Sequence, residues 1–182
     1  RSLNTVPWVL EEARPSLPEL TVLDATDGMT VERLAEEGVS VAFSALPSRE
    51  AKDLEPMWAG AGIAVFSNAS AHRRRDGVPL VIPEINAEAL RPQDGKPLRH
   101  ACATNCTLLP LVFPLAALHH AFGLEAYTMR SEQALSGGGH AYMQGALDAG
   151  RVEAAIPGEA EKTGAEFRHV LDWDGGSTLV CN

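Results

Sequence analysis

Apolar and polar positions change period several times along the chain. LTVLDA (20–25) is a short apolar run and predicts a strand. TVERLAEEG (30–38) has a helical period closed by Gly38. VSVAFSALP (39–47) is β-branched and apolar, which predicts a strand running into Ser48. A helix from Arg49 to about Ala61 follows, then a second such strand, GIAVFSN (62–68). Strand, helix and strand with short links point to a parallel βαβ unit and an α/β sheet. VPLVIPEIN (78–86) is expected to be extended, interrupted by Pro79 and Pro83. At the amino end VPWVLEEA, among Pro7, Pro15 and Pro18, predicts a short helical piece. Leu108, Leu109, Leu111, Val112 and Leu115 recur at helical spacing, and GLEAYTMRSEQALSG (123–137) predicts a strand running into a loop. RPQDGKP (91–97) is the turn-rich stretch where a boundary is expected, dividing the chain into domains at 1–100 and 101–182.

Composition narrows the class. The 182 residues are 45% hydrophobic and 21% charged, ordinary for a globular chain with a sizeable core. A net charge of −9 argues against nucleic acid and anionic membrane as partners. No apolar run reaches the length of a membrane span. Three cysteines, two of them (Cys102 and Cys106) four positions apart, do not form a disulfide framework and suggest a reducing cytoplasm. The C-x3-C spacing has no second Cys/His pair to complete a zinc set, so no metal site is expected.

The candidate chemistry centres on ACATNCTLLPLVFPL (101–115). Thr104 or Asn105 can cap the helix that the apolar period predicts. Cys106 would then lie in its first turn, where unpaired N–H groups and the helix dipole favour a thiolate. A lone cysteine is more often a small buried thiol, and Cys106 stands out only through its companions. FSALPS (43–48) ends a predicted strand with small residues, where α/β sheets bind ligands; taken alone, the stretch reads better as a plain turn with Ser48 as cap. SNASAHRRR (67–75) offers Asn68, His72 and Arg73 in an otherwise acidic chain, suited to an anion or to a solvated loop. SGGGH (136–140) permits close backbone approach or a hinge. IPGEAEK (156–162) sets Glu159 and Lys162 three apart on one helix face, as a surface ion pair or as partners for a charged substrate.

In this order, FSALPS, SNASAHR, VPLVIPEIN, the NC ahead of LVFPL, QALSGGG and IPGEAEK resemble the aspartate-β-semialdehyde dehydrogenase family, in its archaeal and fungal branch. The resemblance implies part of a Rossmann-type NADP-binding domain followed by part of an α+β catalytic and dimerisation domain. It implies reductive dephosphorylation of aspartyl-β-phosphate to aspartate semialdehyde. Cys106 matches the nucleophile and Gln133 the glutamine that positions the acyl group. Asn105 belongs to the same motif on the substrate side. Arg73 and Lys162 match phosphate-binding positions, and Glu159 the residue that binds the substrate amino group. Arg1, Ser2, Ser44, Ala45, Leu46, Ser136, Gly137 and Gly139 fall at cofactor-binding positions for NADP. The expected partners are a small acyl phosphate and further copies of the chain, as a homodimer or homotetramer. His140 stands where the family mostly has tyrosine. The family's Gly-rich turn would precede Arg1, and its base histidine would follow Asn182, so the chain is expected to be the core portion of a longer protein.

Two other readings remain open on the sequence. One is a related reductase acting on another activated acyl group such as malonyl-CoA. The other is a non-catalytic relative that binds or scaffolds.

Overall fold

The computed structural model describes residues 2–8, 12–92, 95–152 and 155–182. Four parallel strands form the first sheet: β1 (Val41–Ser44), β2 (Ala64–Ser67), β3 (Leu80–Val81) and β4 (His100–Ala103), in the order β1-β2-β4-β3. Register runs Val41 opposite Ala64, Val65 opposite His100, and Leu80 opposite Cys102. Helix α1 (Gly28–Glu36) precedes β1, and α2 (Ser48–Gly60) makes the crossover to β2 that a parallel pair requires. The short α3 (Pro83–Asn86) leaves β3 with proline in its first turn. Helix α4 (Leu109–Phe122) leads to β5 (Ala126–Ser131), followed by α5 (His140–Ala149), α6 (Glu159–Leu171) and β6 (Gly176–Cys181). Strands β5 and β6 pair in parallel as a second, two-stranded sheet. The α/β class and parallel sheet read from the sequence are present.

Several local expectations change. Among the described residues LTVLDA forms no strand but an isolated antiparallel bridge, Ser2 to Thr21, and its Leu20 and Leu23 stay exposed. The reading of VPWVLEEA includes residues 9–11, which lie outside the described residues; positions 6–8 and 12–13 beside them are not helical. VPLVIPEIN is extended for two paired residues only and then turns helical at Pro83. Pro47, not Ser48, occupies the cap position of α2. Strands β4 and β6 were not foreseen.

One buried cluster joins the two sheets. Leu80, Ile82 and Cys102 from the first meet Leu108 and Val112 of α4, Tyr127 of β5, and Phe167, Val170 and Trp173 of the α6 region. Tyr127, Phe167 and Trp173 pack with ring centroids 4.7, 5.4 and 5.2 Å apart. Fully burying a side chain such as Phe167 stabilises by about 1.5–3 kcal/mol. The Trp173 indole donates to the Leu124 carbonyl at 2.6 Å. Gly175 allows this packing, because a Cβ there would lie 2.2 Å from the Trp173 ring.

A polar knot is buried under the first sheet. Ser67 Oγ donates to Glu55 Oε1 at 2.6 Å, and His100 Nε2 lies 3.1 Å from Glu55 Oε2. The His72 ring lies edge-on to His100, centroids 4.9 Å apart, with its Nε2 3.1 Å from the Ala51 carbonyl. Burial holds the His100 imidazole below its ordinary value of 6.5, against the pull of the Glu55 carboxylate; the charges of His72 and Arg75 push the same way as burial. The folded chain therefore keeps His100 neutral while the unfolded chain protonates it. Its contribution is complete above 6.5 and is lost as pH falls from there through the folded value. Melting temperature should fall between about pH 7 and pH 5, and His100→Gln should flatten that limb; an unchanged slope would contradict this origin.

Candidate active site

The backbone leaving β4 makes one tight turn before α4. Asn105 closes it, its Oδ1 accepting from the Leu108 N–H at 2.9 Å. Cys106 sits in this turn and is exposed, three residues ahead of the first helical residue, Leu109. The sequence placed it inside the helix's first turn. The helix starts later because Asn105 takes the Leu108 N–H in a turn of its own, and Pro110 then occupies the first-turn position that tolerates a missing N–H.

A chain of hydrogen bonds flanks the thiol. Gln133 Nε2 donates to Thr107 Oγ1 at 2.5 Å, and that hydroxyl donates to Glu159 Oε1 at 2.7 Å. The other Glu159 oxygen is paired with Lys162 Nζ. Helix α6 delivers both charged groups because Gly158, at φ +74°, turns the chain into it. Burial pushes the Glu159 carboxyl up, but hydrogen bonds from Lys162, Thr107 and Gln133 and the Lys162 charge outweigh it. The net displacement is below the ordinary 4.5, so the group is ionised at neutral pH. Cys106, Thr107, Gln133, Ser136 and Gly137 line an open cavity of about 530 Å³. Ser131 lines it too, and its Oγ is buried without a partner. Gly139 adopts φ +88° and leads directly into α5.

Arg73 is held elsewhere. Its Nη1 donates to Glu166 Oε1 at 3.1 Å and its Nη2 to the Asn68 carbonyl at 2.9 Å. Both members of the ion pair are buried, at 9% and 4% exposure. Arg73 lines a different cavity, with Arg74, Arg75 and His169, so the structure does not bring it into the Cys106 cavity. The remaining oxygen of Glu166 accepts from the Asn105 N–H at 2.7 Å and from Asn105 Nδ2 at 2.9 Å. Sequence reasoning passed over both Thr107 and Glu166. The signal for Glu166 is positional: Glu159, Thr163, Glu166 and Val170 form a buried stripe along one face of α6.

The carboxyl ends of the first sheet open on a second cavity of about 380 Å³, lined by Ser44, Ala45, Ser67, Asn68 and Ala103 among others. Small side chains keep this end open, and Ser44 Oγ is buried there without a partner. Leu46 lines a neighbouring cavity with Ser44 and Ala45. Ser2 caps a short 3-10 turn through the Asn4 N–H and lines none of these cavities. Arg1 lies outside the described residues. Among the described residues no group of His, Cys, Asp and Glu is arranged to hold a metal ion. None of the described helices is long and apolar enough to cross a membrane.

The three thiols differ sharply. Cys102 is 1% exposed and Cys181 5%. Burial, reinforced by the Glu55 carboxylate, pushes the Cys102 thiol up to about 11. Iodoacetamide should therefore label Cys106 in the native chain and reach Cys102 and Cys181 only on unfolding. Peptide mapping that finds Cys102 labelled natively at the Cys106 rate would contradict this geometry.

Residues 9–93 match the family model described as semialdehyde dehydrogenase, NAD binding domain. The aspartate-semialdehyde dehydrogenase of Archaeoglobus fulgidus is 35% identical over 88% of this chain and 47% of its own length. That of Candida albicans is 32% identical over 83% and 46%. The chain belongs to the aspartate-semialdehyde dehydrogenase family. It spans about half the length of the curated relatives it matches. A crystal structure of the Candida albicans aspartate-semialdehyde dehydrogenase with NADP aligns with a TM-score of 0.62 at 29% identity, over 78% of this chain and 46% of that one.

Proposed function

We propose that this member of the aspartate-semialdehyde dehydrogenase family carries the nucleophile of an NADP-dependent reductive dephosphorylation, converting aspartyl-β-phosphate to aspartate semialdehyde. The observation that carries the reading is the exposed Cys106 beside Gln133 in one cavity, with the Glu159–Lys162 pair one hydrogen bond behind. The Cys106 thiolate attacks the acyl carbon; the carbon–sulfur bond forms as the carbon–oxygen bond to phosphate breaks, and phosphate leaves with the bonding electrons. When bound, the nicotinamide supplies the hydride that reduces the resulting thioester, and aldehyde release returns the thiolate.

The chain's own groups bind and orient. Ionised Glu159 suits a substrate ammonium. Lys162, 31% exposed, is an accessible cation for departing phosphate. Gln133, anchored on Thr107, faces the acyl group. Asn105 holds the turn that presents the thiol. A phosphate role for Arg73 requires that the anion share it with Glu166. The strand-end cavity at Ser44 and Ala45 supports the cofactor reading, since small residues and an unpartnered hydroxyl suit a close-lying ligand; Leu46 beside it, and Ser136, Gly137 and Gly139 on the cysteine side, would border the nicotinamide end. The division into a cofactor part at 1–100 and a catalytic, dimer-forming part at 101–182 belongs to the same proposal.

The test is turnover by the protein expressed from its complete gene. NADP-dependent and phosphate-dependent oxidation of aspartate semialdehyde is expected. Activity only with a CoA thioester, or none with either donor, would overturn the assignment.

A further inference from the structure

We propose that Glu166 is a positioning residue for the Cys106 turn, coupling it to Arg73 and to helix α6; the catalytic arm of the test rests on the Cys106 reading above. The carboxylate is 4% exposed and both of its oxygens are occupied. One accepts from the Arg73 guanidinium at 3.1 Å. The other accepts from the backbone N–H of Asn105 at 2.7 Å and from its side-chain amide at 2.9 Å. Asn105 immediately precedes the cysteine, and its own Oδ1 closes the turn on the Leu108 N–H while receiving a longer bond from Thr163 Oγ1 at 3.4 Å.

These bonds set Asn105 in one rotamer. With its Nδ2 held by Glu166, its Oδ1 must face Leu108, which is the geometry that closes the turn. The fixed points come from two segments distant in sequence. Thr163 and Glu166 stand on α6, one and two turns beyond Glu159 on the same face. Arg73 reaches from the loop after β2, where its other Nη is tied to the Asn68 carbonyl. The loop at the strand-end cavity and the helix carrying Glu159 and Lys162 are thus joined at the residue beside the thiol. A nucleophile must be held within a fraction of an ångström of its attack geometry to be effective, and both the backbone and the side-chain N–H of Asn105 are given to Glu166.

A carboxylate is needed, and glutamine is not equivalent. An amide in its place presents one acceptor and one donor. Facing Asn105 with its oxygen, it turns N–H groups toward the Arg73 guanidinium; facing Arg73, it loses the Asn105 N–H. Glu166→Gln therefore sacrifices one link, and Arg73→Met with Glu166→Met removes both charges, and the acceptor of Asn105 with them, without leaving either charge buried alone.

The experiment measures amide hydrogen exchange at Asn105–Leu108, with melting temperature, in both variants of the protein expressed from its complete gene. In parallel, kcat and KM are measured for aspartate semialdehyde oxidation. Exchange at Asn105 is expected to quicken about tenfold or more in the double variant, while amides of α6 and β4 keep wild-type protection. In both variants kcat is expected to fall by about 10–100-fold with KM within about threefold of wild type, as for a misplaced nucleophile. Unchanged exchange at Asn105, or uniform loosening of α6 and β4 along with it, overturns the positioning role whatever the kinetics show. Local loosening in a protein whose wild type has no dehydrogenase activity upholds the positioning role and overturns the reaction assignment instead.

Discussion

Replacing Cys106 with serine should lower turnover by roughly 10⁴–10⁶-fold, the range seen when a covalent nucleophile is removed. Serine keeps the size and place of the side chain in the turn, so the fold should survive. It loses the accessible anion: none of the described hydrogen bonds around the turn offers a base to an alcohol at position 106, because Thr107, Gln133 and Glu159 are already engaged with one another. The loss should fall on kcat, and substrate binding through Glu159 and Lys162 should persist. Circular dichroism and the melting temperature should match wild type. A serine variant retaining more than about a tenth of wild-type activity would remove the covalent mechanism, since that is no larger than a modest positioning effect.

Replacing Arg73 with alanine should destabilise the protein by about 3–5 kcal/mol, because it leaves the Glu166 carboxylate buried without its counter-charge. The pair is 9% and 4% exposed, so water can do little to compensate. For a chain of this size that is roughly a 6–20 °C fall in melting temperature. The sequence pointed to a different outcome, chiefly weaker phosphate recognition. The structure adds the stability cost because two of the guanidinium nitrogens already bind within the protein. Adding Glu166→Gln to the arginine variant should recover part of the loss, the coupling expected of a buried pair. A denaturant melt showing less than about 1 kcal/mol for Arg73→Ala would place the arginine in solvent.

What the sequence disclosed follows from how far each signal reaches. The unit β1–α2–β2 was visible because its alternation of period is local and its links are short. Strand β4 was hidden in HACA, four residues long, with a histidine whose burial makes sense only beside Glu55, 45 positions away. Strand β6 begins in small polar residues, Gly176, Ser177 and Thr178, that look like a loop until β5 is placed next to them. LTVLDA misled for the opposite reason: its Leu20 and Leu23 stay exposed at a bridge of one pair. At the site, the order of motifs foretold that Cys106 and Gln133 would share a cavity. It did not foretell that Glu166, 61 positions from Asn105, supports the turn, because that link is a hydrogen bond between remote elements. Nor did it separate Arg73 from the thiol cavity, since a sequence shows a cation and not the carboxylate it is spent on.

The most direct test is a rapid acid quench. The protein expressed from its complete gene is mixed with aspartyl-β-phosphate without cofactor, and its peptides are weighed by mass spectrometry. One aspartyl group per chain is expected on the peptide bearing Cys106, in step with phosphate release, and removable by hydroxylamine as a thioester is. Phosphate release without acylation of that peptide, or the acyl group on Cys102 or Cys181, would contradict Cys106 as the nucleophile.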